Sequence, residues 1–466
     1  MIEHEKHFSP GDFSNAVLSR NGKLGADACL VLAQAINAVD PYRCVANHVQ
    51  FDGQHVTIGG NVMKVDQFER IFLIGFGKAA VPMAVSLIDI LEKRITQACV
   101  ITKDPQFLSE SGYWDKLTVL LGGHPIPTEE SVEATQRMLN SLPALNAKDL
   151  VLIVVSGGGS ALFTDPIEGI SLEDLQKLTQ LLLNCGADIH EINTIRKHLD
   201  QVKGGRLAVR LQPAQVDTLI LSDVIGDSLD MIASGPTVPD LATYQDALDI
   251  LRRLRIEDKV PHTILETLKN GKAGTIPETL KPGQLPQGRV RNHLVGTNYI
   301  AAEAALRCAK DLGYQSIILS GAVTGLTEQV AEWIEGVITR QLALGQLVNK
   351  PACLILGGET TVRVTGDGLG GRNMDLALRM VPKLRGMHGV LFVSLASDGE
   401  DGPTDAAGAA VDGSVFAEGE KLHQLDIAEY VRASNSYRYF EQVGGLIKTG
   451  ATGTNVNDLM LVLIAN

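Results

Sequence analysis

The chain has 466 residues, 45% of them hydrophobic and 20% charged, which is typical of a globular protein of two or three domains and excludes a largely disordered chain. Its 41 basic and 54 acidic residues leave a net charge of −13, and only 5% of residues are aromatic, so we expect no nucleic-acid-binding surface. No apolar run approaches the roughly 18 residues of a membrane helix. The first ten residues contain no hydrophobic run and the six cysteines form no CxxC pair, so we predict a cytoplasmic protein without signal peptide, membrane contact or disulfides.

Short apolar segments alternate with helical stretches along the whole chain, and this pattern predicts parallel β-sheets of the α/β class. Seven of the apolar segments end in glycine, serine, threonine or aspartate, within GFGKAA, SGGGS, SDVIGD, GTN, SGAVTG, GGETT and ASDGEDGPTD. Any one such turn has the ordinary composition of a strand-to-helix connection. Seven together favour a ligand site, because ligands bind at the carboxyl ends of the strands in open α/β sheets.

The first two of these turns favour a phosphate. In GFGKAA, Gly75 and Gly77 fit a loose dinucleotide fingerprint, but Lys78 lies inside the turn and no ribose-binding acid follows the next strand. The turn SGGGS is more specific, since consecutive glycines between serines form a concave nest of backbone amides that binds anions. We predict phosphate contacts from the residues of this turn, which are Ser156, Gly157, Gly158, Gly159 and Ser160.

A predicted helix over residues 189–202 carries the densest basic cluster of the chain. The basic side chains on and just after it are Arg196, Lys197, His198, Lys203 and Arg206. They form either a solvated face or a positive wall beside the ligand. His124, in the sequence GGHPIP, is interpreted as a structural residue.

The pattern changes between about residues 240 and 291, where a charged helical segment is followed by a stretch rich in glycine and proline. We therefore predict an N-terminal domain over residues 1–240, a helical segment and linker over 241–290, and a C-terminal domain over 291–466.

The C-terminal part contains two further chemical signals. Glu359 follows an apolar segment, and Arg372 lies in a glycine-rich loop from which a guanidinium can bind a carboxylate or phosphate. Asp398 and Asp401 lie in a dense acidic turn that suits Mg²⁺. Anion nests, a lysine, an arginine and an acidic cluster are the groups that phosphoryl transfer requires. The polar run at residues 449–459 is interpreted only as a loop near the ligand crevice.

These blocks, in this order, resemble the glycerate 2-kinases of the MOFRL type, also called class II. The matching segments run from about residue 70 to the C-terminus and include LIGFGKAAVPMA, GGHPIPTEES, VVSGGGSALF, INTIRKHLDQVKGGRLA, LSDVIGDSLDMIASGPTVPD, GGETTVRVTGDGLGGRNMDLAL, SDGEDGPTDAAGA and TGATGTNVNDLML. The resemblance implies a Rossmann-like N-terminal domain with a parallel sheet and a smaller α/β C-terminal domain, with the active site in the cleft between them.

The resemblance also implies phosphorylation of D-glycerate at its 2-hydroxyl with ATP and Mg²⁺, giving 2-phosphoglycerate and ADP. Lys78 and Arg372 would clamp the transferring phosphoryl group and the glycerate carboxylate, and Asp398 would bind metal, together with Asp401, or accept the hydroxyl proton. The residues expected to line the cleft and contact substrate are Arg196, Asp223, Glu359 and Asn373. Ala451 departs from the family pattern, which has proline there.

Two other functions are compatible with parts of the sequence. The GFGKAA fingerprint alone supports an NAD(P)H-dependent hydroxypyruvate reductase. A non-catalytic sensor of sugar phosphates would bind ligand without turnover, and the retained Lys78, Arg372 and acidic cluster argue against it. The sequence leaves the assembly open, with a homodimer as one option.

Overall fold

The computed structural model describes residues 5–112, 114–422 and 424–466. The first four residues of the predicted N-terminal domain lie outside these ranges. The described strands are β1 (Val49–Phe51), β2 (His55–Ile58), β3 (Asn61–Lys64), β4 (Arg70–Phe76), β5 (Ile95–Thr102), β6 (Leu117–Leu121), β7 (Asp149–Val155), β8 (Gln215–Leu221), β9 (Val290–Gly296), β10 (Gln315–Val323), β11 (Ala352–Gly358), β12 (Val390–Ala396), β13 (Gly408–Asp412), β14 (Leu446–Ile447) and β15 (Asp458–Ile464).

The described α-helices alternate with these strands. They are α1 (Ala16–Arg20), α2 (Lys23–Ala38), α3 (Pro41–Ala46), α4 (Ala80–Leu91), α5 (Glu129–Ser141), α6 (Gly159–Leu162), α7 (Leu172–Asn184), α8 (Ile189–His198), α9 (Arg206–Arg210), α10 (Tyr244–Arg253), α11 (His262–Lys272), α12 (Asn298–Asp311), α13 (Thr327–Leu344), α14 (Arg372–Lys383), α15 (Val415–Leu422), α16 (Ile427–Arg432) and α17 (Ser436–Val443). Among the described residues, no helix is both long and apolar enough to cross a membrane.

The chain divides into two compact units whose boundaries differ from the predicted ones. Unit 1 comprises, among the described residues, 41–222 and 227–295, and unit 2 comprises 5–40, 223–226 and 296–466. The stretch 241–290 was predicted to include a linker, but it contributes α10 and α11 to unit 1. Leu248 and Leu251 of α10 and Ile264 of α11 are fully buried in one cluster with Leu178 and Ile195 of α7 and α8.

Unit 1 is built on a doubly wound sheet with the strand order β6-β5-β4-β7-β8-β9. β4 is parallel to both β5 and β7, and the remaining parallel pairs extend outward from this centre. The chain therefore leaves the centre in opposite directions after β4 and after β7. Such a switch point opens a crevice at the strand ends, and its position is between Phe76 and Val155, which are paired in register. β9 belongs to this sheet, although residues 291–296 were predicted in the C-terminal domain.

Unit 2 is built on a mixed sheet with the order β10-β11-β15-β12-β13-β14. β15 runs antiparallel between β11 and β12. Because of this arrangement the first residue of β15, Asp458, pairs with Gly358 at the end of β11 and with Ala396 at the end of β12. β15 therefore begins between the ends of β11 and β12. The segments that directly follow those two strands carry side chains of the predicted site.

Candidate functional site

The two glycine-rich turns of unit 1 form a single structure at the switch point. The backbone N–H of Lys78 donates to the Gly157 carbonyl at 2.9 Å, and that of Ala79 donates to Ser156 Oγ at 2.9 Å. Gly77 has a φ of 131°, and a Cβ there would lie 2.3 Å from Ser156 Oγ. Any side chain at position 77 would therefore separate the turns. Gly77 and Gly75, which lies against Val154, serve packing between the strand ends, so they do not by themselves indicate a dinucleotide.

The turn Ser156–Ser160, here called the nest, has backbone N–H groups that no described residue uses. The N–H groups of Gly157 and Gly158 make no hydrogen bond with any residue that the structure describes. Gly158 is left-handed with a φ of 81°, and the Lys78 side chain passes close to it, with Cε 3.4 Å from where a Cβ would be. Lys78 is half-buried and forms no ion pair within the described ranges. An uncompensated ammonium beside free amides is an anion site.

A chain of hydrogen bonds runs from the nest to α8. Ser160 Oγ lies 2.9 Å from Ser234 Oγ, and Ser234 donates to Asn193 Oδ1 at 3.0 Å. Arg196 Nη1 contacts the same amide oxygen at 3.4 Å. Ser234 is buried and has a φ of 60°, a strained conformation for serine that the surroundings must hold. Sequence reasoning missed Asn193 and Ser234, because nothing local marks them as neighbours of the nest.

Most of the basic cluster of α8 is neither a solvated face nor a positive wall. Lys197, 3% exposed, lies 3.1 Å from Asp230 and 3.3 Å from Asp240, and Lys203, 1% exposed, lies 2.6 Å from Asp200. His198 pairs with Glu278 at 3.1 Å, and Arg206 donates to backbone carbonyls. These are structural pairs, and the partners of Lys197 and His198 are distant in sequence. Arg196 differs, since it forms no salt bridge with a described carboxylate, and burial lowers the pKa of its guanidinium.

In unit 2, Arg372 begins α14 and is held by two acids. Its Nε and Nη2 donate to the two oxygens of Asp458 at 2.7 and 2.9 Å, and Nη1 lies 3.2 Å from Glu359 Oε1. Glu359 in turn accepts a hydrogen bond from Asn457 at 3.0 Å. Arg372 keeps unused N–H groups on both Nη atoms. Asp458, fully buried, was within a segment interpreted only as a polar loop, so the partner of Arg372 was missed.

Asp401 is a buried acceptor beneath Arg372. Its two oxygens accept the backbone N–H groups of Asn373 and Met374 at 3.0 and 2.7 Å, at the start of α14. Asn373 is also fully buried, and its Oδ1 accepts from Ser394 at 2.6 Å. Burial raises the pKa of Asp401 to about 7 and that of Asp458 to about 6, with like charges adding to each effect. The observed bonds give Asp401 and Asn373 structural roles.

We expect these raised pKa values to make the stability of unit 2 depend on pH. A carboxyl whose folded pKa lies above the unfolded value stabilises the fold at low pH and loses that contribution as pH rises toward the folded pKa. When the pH is raised from 5.5 to 8, the ionisation of Asp401 should therefore lower the free energy of unfolding by on the order of 2 kcal/mol. Denaturant unfolding of the wild type and Asp401→Asn at both pH values measures it. If the difference in unfolding free energy between the two proteins were the same at both pH values, the raised pKa of Asp401 would be contradicted.

Asp398 occupies the more open position of the acidic turn. It follows β12, is half-buried, and its Oδ1 accepts the backbone N–H of Glu400 at 3.1 Å. Its Oδ2 has no hydrogen-bond donor among the described residues. Asp223, also half-buried, follows β8. In the part of the chain that the structure describes, no three or more histidine, cysteine or acidic side chains are grouped to hold a metal by themselves.

Comparisons with known proteins cover both parts of the chain. The family model "Domain of unknown function (DUF4147)" matches residues 27–269, and the MOFRL family model matches residues 352–458. A glycerate 2-kinase from Pyrococcus horikoshii is 39% identical over 94% of this chain and 96% of its own length. A D-glycerate 2-kinase from Thermotoga maritima is 42% identical over 85% and 91%. The crystal structure of a glycerate kinase from Thermotoga maritima superposes with a TM-score of 0.82, at 39% identity over 96% of this chain and all of that one. With GFGKAA, SGGGS and GGRN in place, the chain belongs to the MOFRL-type family of glycerate 2-kinases.

Proposed function

We propose that the protein phosphorylates D-glycerate at its 2-hydroxyl with ATP, giving 2-phosphoglycerate and ADP. The observation that carries the proposal is the combination, at the switch point of the sheet, of the Lys78 ammonium and the N–H groups of Gly157 and Gly158, none of which has a partner among the described residues. Acting together, these groups neutralise and orient a phosphate chain, which is most of what catalysis of phosphoryl transfer demands. The identity of the acceptor as glycerate is taken from the relatives named glycerate 2-kinase.

The roles of the remaining residues are proposed as follows. The N–H groups of the nest bind phosphate oxygens of ATP, and Lys78 balances the charge on the transferring phosphoryl group. Arg372 uses its remaining N–H groups for the substrate carboxylate or the phosphoryl group. Asp398 Oδ2 is proposed to accept the proton of the 2-hydroxyl while the hydroxyl oxygen bonds to phosphorus and ADP leaves. Arg196 is proposed to contribute positive charge beside the nest.

Magnesium fits this donor set in one particular way. Mg²⁺ at kinase sites is usually bound by one or two carboxylates and by the phosphates of the nucleotide, with water completing the shell. Asp398, whose Oδ2 has no donor among the described residues, suits that mode as the alternative to accepting the hydroxyl proton, whereas both oxygens of Asp401 already accept backbone N–H groups. Bound Mg²⁺ would neutralise phosphate charge. The cytoplasmic location and the assembly state stay predictions.

The test is a comparison of two reactions. We expect ADP and 2-phosphoglycerate from D-glycerate and ATP–Mg²⁺, and no oxidation of NADH or NADPH with hydroxypyruvate. The product is identified by resolving 2- from 3-phosphoglycerate with phosphorus NMR. Cofactor oxidation without ADP formation would reject the kinase in favour of the reductase, for which neither the turn packing nor the relatives offer support. Binding of ATP and glycerate without turnover would favour a sensor.

A further inference from the structure

His124 lies at the nest, where sequence reasoning did not place it. It follows β6, three residues after Leu121. A Cβ built on Gly158 would be 2.7 Å from its Cδ2 and 3.1 Å from its Nε2. The same point is 3.4 Å from Lys78 Cε. The imidazole and the lysine stem therefore lie against one glycine of the nest, and only a residue without a side chain can occupy position 158.

The backbone that carries His124 is fixed, while its ring is not used by the fold. Gly123 N–H and Thr128 N–H both donate to the buried Ser131 Oγ, at 2.9 and 3.2 Å. The Pro127 carbonyl accepts from Gln176 at 2.9 Å. The half-buried ring itself makes no hydrogen bond, ion pair or ring contact with any residue within the described ranges. A structural histidine usually has at least one ring nitrogen satisfied by the protein, so the ring nitrogens of His124 are free for a ligand.

The charge state of the ring follows from its surroundings. Burial, and after it the positive charges of Lys78 and Lys103, lower the pKa of His124 to about 4. The imidazole is therefore neutral at neutral pH, with one nitrogen carrying a hydrogen and the other accepting. A neutral ring adds a hydrogen-bond donor next to Lys78 without adding charge repulsion. A general base works best with a pKa near the operating pH, and this environment does not provide one.

We propose that His124 binds the phosphate held by the nest, with its Nε2–H donating a hydrogen bond to a phosphate oxygen beside Lys78. This inference rests on the proposed kinase function and adds a side-chain donor to the backbone donors of Gly157 and Gly158. Lys78 contributes positive charge, and His124 contributes a hydrogen bond of fixed direction. The ring on its fixed loop has a single N–H orientation, whereas an ammonium group rotates freely.

Two substitutions of one residue test the proposal. His124→Ala removes the donor, and His124→Gln places an amide N–H near the position of Nε2. Loss of one preorganised donor to a developing charge costs roughly 100-fold in kcat. We expect that loss in kcat/KM for His124→Ala, recovery of at least about tenfold in His124→Gln, and pH profiles from 6 to 9 of unchanged shape. His262→Ala is the matched control, since that histidine is 80% exposed on α11, and it should retain wild-type rates.

Calorimetric binding of AMP-PNP with Mg²⁺ provides a readout independent of the acceptor. His124→Ala should bind it more weakly than His124→Gln and the wild type, with melting temperatures equal. Wild-type rates in His124→Ala would overturn the proposal. So would equal loss in both variants together with disappearance of an acidic limb in the pH profile, which would identify a general base. If the wild type binds AMP-PNP but does not phosphorylate D-glycerate, the kinase function fails, and the binding series still decides the role of His124.

Discussion

Lys78→Ala is expected to lower kcat/KM for ATP-dependent phosphorylation of D-glycerate by about 10³-fold, because groups that neutralise the transferring phosphoryl are worth that much or more. The melting temperature should stay within about 2 °C of wild type. Lys78 forms no ion pair among the described residues, so its loss leaves no buried partner. A steady-state assay and a thermal scan on the same preparations measure both quantities.

The matched control for Lys78 is Lys177→Ala, which removes a lysine that is 59% exposed on α7 of the same unit. It should keep wild-type activity. If Lys78→Ala retained activity, Lys78 would not contact the phosphoryl group. If it melted far below the wild type, the side chain would serve the fold.

Arg372→Ala should behave differently, and it is the second large effect. The substitution leaves Asp458 buried without its cation, and breaking a buried pair by removing one partner costs about 3–5 kcal/mol. We expect activity to be abolished and unfolding free energy to fall by that amount at pH 8. The deficit should shrink at pH 5.5, because the pKa of Asp458 is already raised to about 6 and rises further without Arg372, so the carboxyl becomes neutral there.

A double variant separates the two contributions of Arg372. In Arg372→Ala with Asp458→Asn the uncompensated charge is gone, so most of the stability should return while activity does not. Denaturant unfolding at both pH values and the kinase assay give the result. Activity in the double variant would show that Arg372 acts only through the fold. Wild-type stability in the single variant would show that the pair with Asp458 contributes nothing.

The strand ends could be predicted from the sequence because they depend on local pattern. Apolar runs ending in GFGK and SGGGS identify themselves, and the parallel winding follows from the alternation with helices. The end of the first domain, predicted at residue 240 before a helical segment and linker, could not be located that way, because unit 1 extends to residue 295. The glycine- and proline-rich composition there is typical of a linker, yet Leu248 and Ile264 nearby are core residues whose partners lie on α7 and α8.

The part of the site that could not be predicted consists of contacts between side chains that are distant in sequence. Lys197 and Arg196 are adjacent on α8. Lys197 is buried between Asp230 and Asp240, whereas Arg196 has no carboxylate partner among the residues that the structure describes. No local property distinguishes them. Asp458 faces Arg372 only because β15 inserts antiparallel between β11 and β12, and that placement is set by the register of the sheet. The proximity of His124 to Gly158 could not be predicted for a similar reason, since that contact joins separate turns.

The division of the chain also governs the order in which a growing polypeptide can fold. Unit 2 is discontinuous: Asp27 accepts a hydrogen bond from Tyr314, and Val39 accepts one from Thr454. All of unit 1 beyond residue 40 leaves the ribosome before either of those partners does. The phosphate nest can therefore form early in synthesis, whereas α2 lacks its main partners until α12 and Tyr314 emerge, and Val39 lacks its partner until Thr454 does. Apolar surface that is exposed during such an interval makes a nascent chain prone to aggregation.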